Sequence, residues 1–264
     1  MKAKIKQALI WGGTIVLTIA LFGFVNKQRK ATMCNDSVVE IKGDPEIRFI
    51  NNNEIMDLLY SKGFRFKEQS VSNINLMEIE QELLRHPAIK SAEAFFDPQS
   101  NLILQIDQRT PILRVIDALG DSYYIDEDGE FMPLNDHYTA RVPVASGNIF
   151  ESARKISLKD VLASDSLQEK YILDDLFVIA SAARRDSFIW CQMEQLNVLP
   201  DREIEFIPAI GPGRVLIGNS EDIENKFTRL QLFYRQGLSQ AGWNAYSQLN
   251  LKYNNQIICT QNTN

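Results

Sequence analysis

The sequence predicts an α+β protein: an N-terminal transmembrane helix, a small β-α-α-β-β module, and a strand-rich β domain with flanking helices. Three observations carry that expectation. An uncharged stretch runs from Gln7 to Asn26. Two apolar stripes at helical spacing then lie between short alternating runs over residues 36–111. Beyond Pro111, strand-like runs separated by Gly, Asp and Pro turns outnumber the helical patterns.

The first element is read from hydropathy. Residues 8–25, from Ala8 to Val25, supply close to the roughly 20 apolar residues a helix needs to cross ~30 Å of hydrocarbon. A charge at its centre would cost on the order of 3 kcal/mol, and it has none. A cleaved signal peptide is the competing reading. Its apolar region runs about 7–15 residues and closes on a small-x-small site. Here the run is longer and no such site follows, so a retained anchor is expected. Lys2, Lys4 and Lys6 precede the helix, and Lys27, Arg29 and Lys30 follow it. With the terminal amine, this balance slightly favours a cytoplasmic N-terminus, residues 1–7, and an extracytoplasmic C-terminal domain.

Residues 26–35 read as a polar linker. Within 36–111, Val38 to Ile41 form a strand, ended by a turn at Lys42-Gly43-Asp44-Pro45. Asn53 is the expected cap of a helix bearing Ile55, Leu58 and Leu59, and Gly63 its stop. Asn75 and Glu78 form a capping-box pattern ahead of Leu76, Ile79 and Leu83, and His86-Pro87 breaks that helix. A hairpin follows, Ser91 to Phe96 and Leu102 to Ile106, turning at Asp97 to Asn101.

Residues 112–264 read as the β domain. Strands are expected at 112–116, 123–125, 188–193, 203–207 and 214–218, with a helix at 173–180. Ser220 is the expected cap of a longer helix carrying Ile223, Phe227, Leu230 and Tyr234. Two final strand-like runs, 246–252 and 256–260, flank a bend at Asn254-Asn255.

Composition excludes several functions. Six basic and no acidic residues fall in the first thirty; taking them from the total of 28 leaves 22 against 34 acidic groups, a net of −12. So acidic a body is unsuited to neutralising nucleic-acid phosphates. Cys34, Cys191 and Cys259 are odd in number and far apart, which gives no disulfide framework. Cys191, inside Phe188-Ile189-Trp190-Cys191, reads as a core position. His86 and His137 have no Cys or His at ligand spacing, so no metal or other cofactor is expected. Asp126-x-Asp128-Gly129 reads as a solvated turn, since Gly stands at the wrong position for a calcium loop. No residue pattern marks a catalytic centre. Asp121, Asp126 and Asp128 are the raw material for an alternative reading as an envelope hydrolase.

The C-terminal run carries the binding expectation. Tyr253, Asn254, Asn255, Gln256, Ile257, Ile258 and Cys259 are the candidate partner-binding residues, on a last strand lying at a sheet edge with main-chain groups unpaired.

These elements also resemble a known family. Val39-Glu40-Ile41-Lys42-Gly43, His86-Pro87-Ala88-Ile89-Lys90-Ser91-Ala92 and Asp97-Pro98 with Leu102 to Ile106 are similar to the POTRA module of FtsQ/DivIB cell-division proteins. Arg109-Thr110-Pro111 resembles the exit from that module. Tyr124 to Gly129 and Leu249 to Gln256 resemble the turn and closing strand of the family's β domain. Gln108 stands where Glu is common, and Asn250-x-Lys252 replaces Asp-x-Arg. The resemblance implies a non-enzymatic scaffold of the bacterial division complex in the cell inner membrane, concentrated at the septum. It implies FtsB/FtsL-type coiled-coil partners bound by the late strand, and other division proteins met through the POTRA module. A POTRA-bearing envelope chaperone or secretion component is a further alternative.

Overall fold

The structure, a computed structural model, describes residues 32–43, 46–151, 158–168 and 170–262, with Trp11, Leu17 and Thr18 ahead of them. Three residues aside, the expected membrane helix at 8–25 lies outside the described residues, as do Asp44-Pro45 of the expected turn. Among the described residues no helix is long and apolar enough to cross a membrane. The chain divides into two units, one ending at Gln108 and the other beginning at Arg109.

The first unit contains β1 (Ser37–Lys42), α1 (Asn52–Ser61), α2 (Leu76–Leu84), β2 (Ile89–Phe96) and β3 (Leu102–Gln108), with a single 3-10 turn at Val71–Asn73. The sheet order is β1-β3-β2, with β1 parallel and β2 antiparallel to β3. Asn51, not Asn53, caps α1. Its side chain accepts from Glu54 N at 3.0 Å, and Glu54 returns a bond to Asn51 N at 3.1 Å. That box satisfies two orphan amides at once, which explains why the helix starts earlier than its apolar stripe. Ile55, Leu59, Ile79 and Leu83 of the helices and Leu102, Leu104 and Ile106 of the central strand are all buried, each contributing about 2 kcal/mol of apolar transfer.

Two local features answer questions the sequence raised. Residues assigned to the linker belong to this unit: Cys34 is buried, its N–H donates to Gln69 O (2.8 Å), and Met33 bridges Ser70. Gln108 accepts from Ile50 N (3.3 Å) and donates to Ile47 O (3.4 Å). An ionised Glu cannot make the second bond, so the amide suits this site.

The second unit holds β4 (Pro111–Ile116), β5 (Ser122–Asp126), β6 (Phe131–Pro133), β7 (Val144–Gly147), α3 (Leu158–Leu162), α4 (Asp165–Gln168), α5 (Leu173–Arg185) and α6 (Ser187–Gln192). Then come β8 (Met193–Val198), β9 (Ile204–Pro208), β10 (Arg214–Gly218), α7 (Ile223–Leu232), a π-helical turn (Phe233–Leu238), α8 (Ser239–Ala241), β11 (Tyr246–Asn250) and β12 (Ile258–Gln261). The sheet order is β12-β11-β10-β9-β8-β7-β4-β5-β6. Pairs β4–β7, β7–β8 and β10–β11 are parallel, and the rest antiparallel. Leu173, Leu176, Ile179 and Ala183 of α5 share one core with Ile223, Phe227 and Leu230 of α7 and with Leu196, Phe206, Val215 and Leu249 of the sheet.

Three sequence expectations are corrected here. Residues 188–192 are helical rather than a strand, because Asp186 accepts from Phe188 N (3.0 Å) and Ile189 N (3.2 Å) and starts a turn there. On that turn Cys191 is exposed, not a core residue. Ser220 does not cap α7. Its N–H donates to Asp175 Oδ1 (2.9 Å), and the cap position falls to Asp222 in left-handed backbone.

β7 is an interior strand, paired by β4 on one side and β8 on the other, although its sequence is the least strand-like. Gly147 there has φ +102°, and a Cβ would fall 2.3 Å from the Val198 carbonyl, so only glycine permits this approach to β8. The Asp126 turn is structural. Its Oδ1 accepts from Asp128 N (3.0 Å) and Glu130 N (2.7 Å), and its Oδ2 pairs with Arg109 at 2.8 Å.

Candidate partner-binding edge

β12 ends the sheet order, so among the described residues only its β11 side is paired. Asn262 N–H donates to Ala245 O at 3.0 Å. The period of two along a strand then turns the main-chain groups of Ile258 and Thr260 toward β11, and those of Cys259 and the N–H of Gln261 outward, while the Gln261 carbonyl accepts from the Ser247 hydroxyl of β11 at 3.5 Å. Side chains alternate across the other axis. Ile257 and Cys259 pack on the core, whereas Ile258 is 46% exposed and Thr260 is exposed. Burial raises the Cys259 thiol pKa, which makes it an inert packing group.

The seven candidate residues are split by the fold. Ile258 and Cys259 lie in the edge strand, Ile257 lies just before it half-buried, and Tyr253 to Gln256 form the loop joining β11 to β12. The bend expected at Asn254-Asn255 is there: Asn255 takes φ +61°, a left-handed conformation that Asn tolerates and a ladder does not, and the second strand begins at Ile258 rather than at Gln256. Tyr253 is 48% exposed on that loop. Thr260 and Gln261 extend the edge beyond the expected set.

The loop is held on two sides. From α7, Arg229 donates to three carbonyls: Tyr253 O (2.6 Å), Gln256 O (2.8 Å) and Leu251 O (3.0 Å). Lys252 pairs with Glu203, and the hydrogen bond its ammonium donates to that carboxylate raises the lysine pKa. Lys252 N also donates to Asn250 Oδ1 at 3.0 Å, so the Asn250-x-Lys252 pair serves the bend itself. No sequence signal marks Arg229, which sits on the polar face of an ordinary amphipathic helix.

Charge separates this edge from the others. Residues 253–262 contain no Asp, Glu, Lys or Arg. The edges of the first unit carry Glu40 and Lys42 on β1 and Lys90 and Glu93 on β2, which discourage pairing with another chain. The opposite edge of the large sheet, β6, spans only Phe131–Pro133 and ends on a residue without an N–H. Among the described residues no group of three His, Cys, Asp or Glu side chains is placed to hold a metal ion.

These units define a two-module protein, a POTRA-like domain followed by a mixed-sheet domain whose last strand is an open, uncharged edge. The chain belongs to the FtsQ/DivIB, C-terminal related family, whose description matches residues 110–260. The POTRA-like domain description matches residues 32–107. Among curated proteins, the chain is similar to the cell division protein FtsQ of Salinibacter ruber. The two are 25% identical over 188 residues, covering 69% of this chain and 68% of that one.

Proposed function

We propose that this protein is a non-enzymatic scaffold of the bacterial division complex, tethered to the cell inner membrane by residues 8–25. In this reading the N-terminus is cytoplasmic, both folded units are extracytoplasmic, and the protein concentrates at the septum. It captures an FtsB/FtsL-type coiled-coil pair by strand addition to β12, and its POTRA-like unit meets other division proteins. The observation that carries this is the unguarded edge. A regular, uncharged strand with free amides and carbonyls is an aggregation hazard unless a partner covers it. Family membership supplies the division context.

The test uses the full chain in detergent and a purified coiled-coil pair of that type. Ile258→Glu places a charge beside the docking groups without touching a core side chain. Wild-type protein should retain the pair and form a mid-cell band when tagged. The variant, folded by circular dichroism, should lose retention. Equal retention by both proteins, or uniform envelope staining of the wild type, overturns the reading.

A further inference from the structure

We infer that Arg229 is the positioning residue of this edge: it holds β12 in the geometry a partner strand needs. The inference rests on the docking reading above and adds the device that makes it work.

β12 is four residues long and has a ladder on one side only. It is reached through a seven-residue crossing, Leu251 to Ile257, exposed from Lys252 to Gln256, with buried Leu251 anchored by its N–H to Leu216 O (2.9 Å). Nothing in that composition makes the crossing rigid; Asn, Gln and Tyr are free to reorient in water. The guanidinium changes this. Its NH1 donates to the Tyr253 and Gln256 carbonyls, and its NH2 to that of Leu251, so one planar group ties three points of the crossing. The guanidinium spreads its donors over two nitrogens in one rigid plane, whereas the three donors of an ammonium radiate from a single point on a flexible stem and cannot span the same carbonyls in fixed geometry. Its base is rigid as well, since Phe227 and Leu230 on either side of Arg229 are buried core residues.

Left-handed Asn255 completes the curl that brings Gln256 O back to the same guanidinium as Tyr253 O. β12 therefore leaves the loop already aligned with β11. A partner strand then meets an ordered row of groups and need not order it on arrival, which is the origin of affinity gained by preorganisation. Arg229 acts through the loop and need not touch the partner.

Amide hydrogen exchange on the full chain in detergent reads the first step without any partner. In R229A, exchange at Ile258 and Thr260, whose amides face β11, should accelerate by about tenfold or more while β8 amides keep their wild-type rates. R229K, which retains the charge and the helix but not the fork, should fall between. Unchanged exchange at Ile258 and Thr260 in R229A and R229K overturns the inference. Should R229A lose protection in β8 also, R229K alone decides.

Capture of the coiled-coil pair reads the second step. It should weaken in R229A and return when β12 is fastened to β11 by an oxidised Q248C/T260C cross-link, in a C191S/C259S background that removes the exposed thiol and the one next to the link. Gln248 and Thr260 are direct cross-strand partners, so the link replaces the clamp and nothing else. Capture that stays lost after cross-linking makes Arg229 a partner contact and refutes the positioning role. A wild-type chain that captures nothing, with exchange behaving as expected, refutes the docking reading and supports the clamp.

Discussion

Replacing Gln261 by proline removes one outward amide from the docking edge and changes little else. Proline has no N–H, and the period of the strand turns that of Gln261 away from β11. The side chain is exposed, and proline is tolerated on edge strands where the N–H faces solvent. Folding stability should therefore shift by no more than about 0.5 kcal/mol. Binding loses more. The partner carbonyl that would meet this amide is left desolvated and unpaired, at a cost of about 1–3 kcal/mol. That range corresponds to a roughly 5- to 160-fold weaker dissociation constant for the coiled-coil pair. Titration calorimetry on the full chain in detergent measures it. Thr260→Pro is the internal contrast: its N–H faces β11, so it should cost stability as well as binding. A folded Gln261→Pro protein with wild-type affinity would refute strand addition at β12.

Two other perturbations test the second unit. Burial, with the neighbouring charge of Asp175, pushes the Asp174 carboxyl up to about 6, and its Oδ1 is buried without a hydrogen-bond partner. Because the folded pKa exceeds the unfolded one, stability is greatest below about pH 4 and is lost as pH rises through 6. Asp174→Asn should flatten that profile and add up to about 3 kcal/mol at neutral pH, read from denaturant midpoints between pH 4 and 8. Arg109→Ala leaves the fully buried Asp126 without its counter-charge and should destabilise the unit by about 3 kcal/mol. Thermal unfolding of the two proteins at neutral pH would show the difference.

Much of the first unit was legible in the chain. Asn75, the stripe Leu76-Ile79-Leu83 and the Asp97 turn are local signals, and each lies where the residues place it. The α1 boundary moved by two residues because Asn51 and Asn53 are equal candidates until Glu54 closes a box with one of them. In the second unit, Phe188 to Cys191 read as a strand by composition, and only the Asp186 cap shows the turn to be helical. β7 escaped detection because Val144-Ala145-Ser146-Gly147 has almost no periodicity; it is a strand because β4 and β8 pair with it on both sides.

Hydrophobic spacing, capping residues and turn chemistry act within a few positions of themselves, so the sequence alone determined the α+β character, the order of most elements and an uncharged closing segment. Whether that segment would be covered depended on contacts between residues tens of positions apart. Tertiary structure decided that β12 has one neighbour in the sheet and that Arg229, more than twenty residues upstream, reaches back to hold the loop before it. A strand's periodicity is the same at the centre of a sheet and at its edge; only the assembled fold determines which side finds no partner.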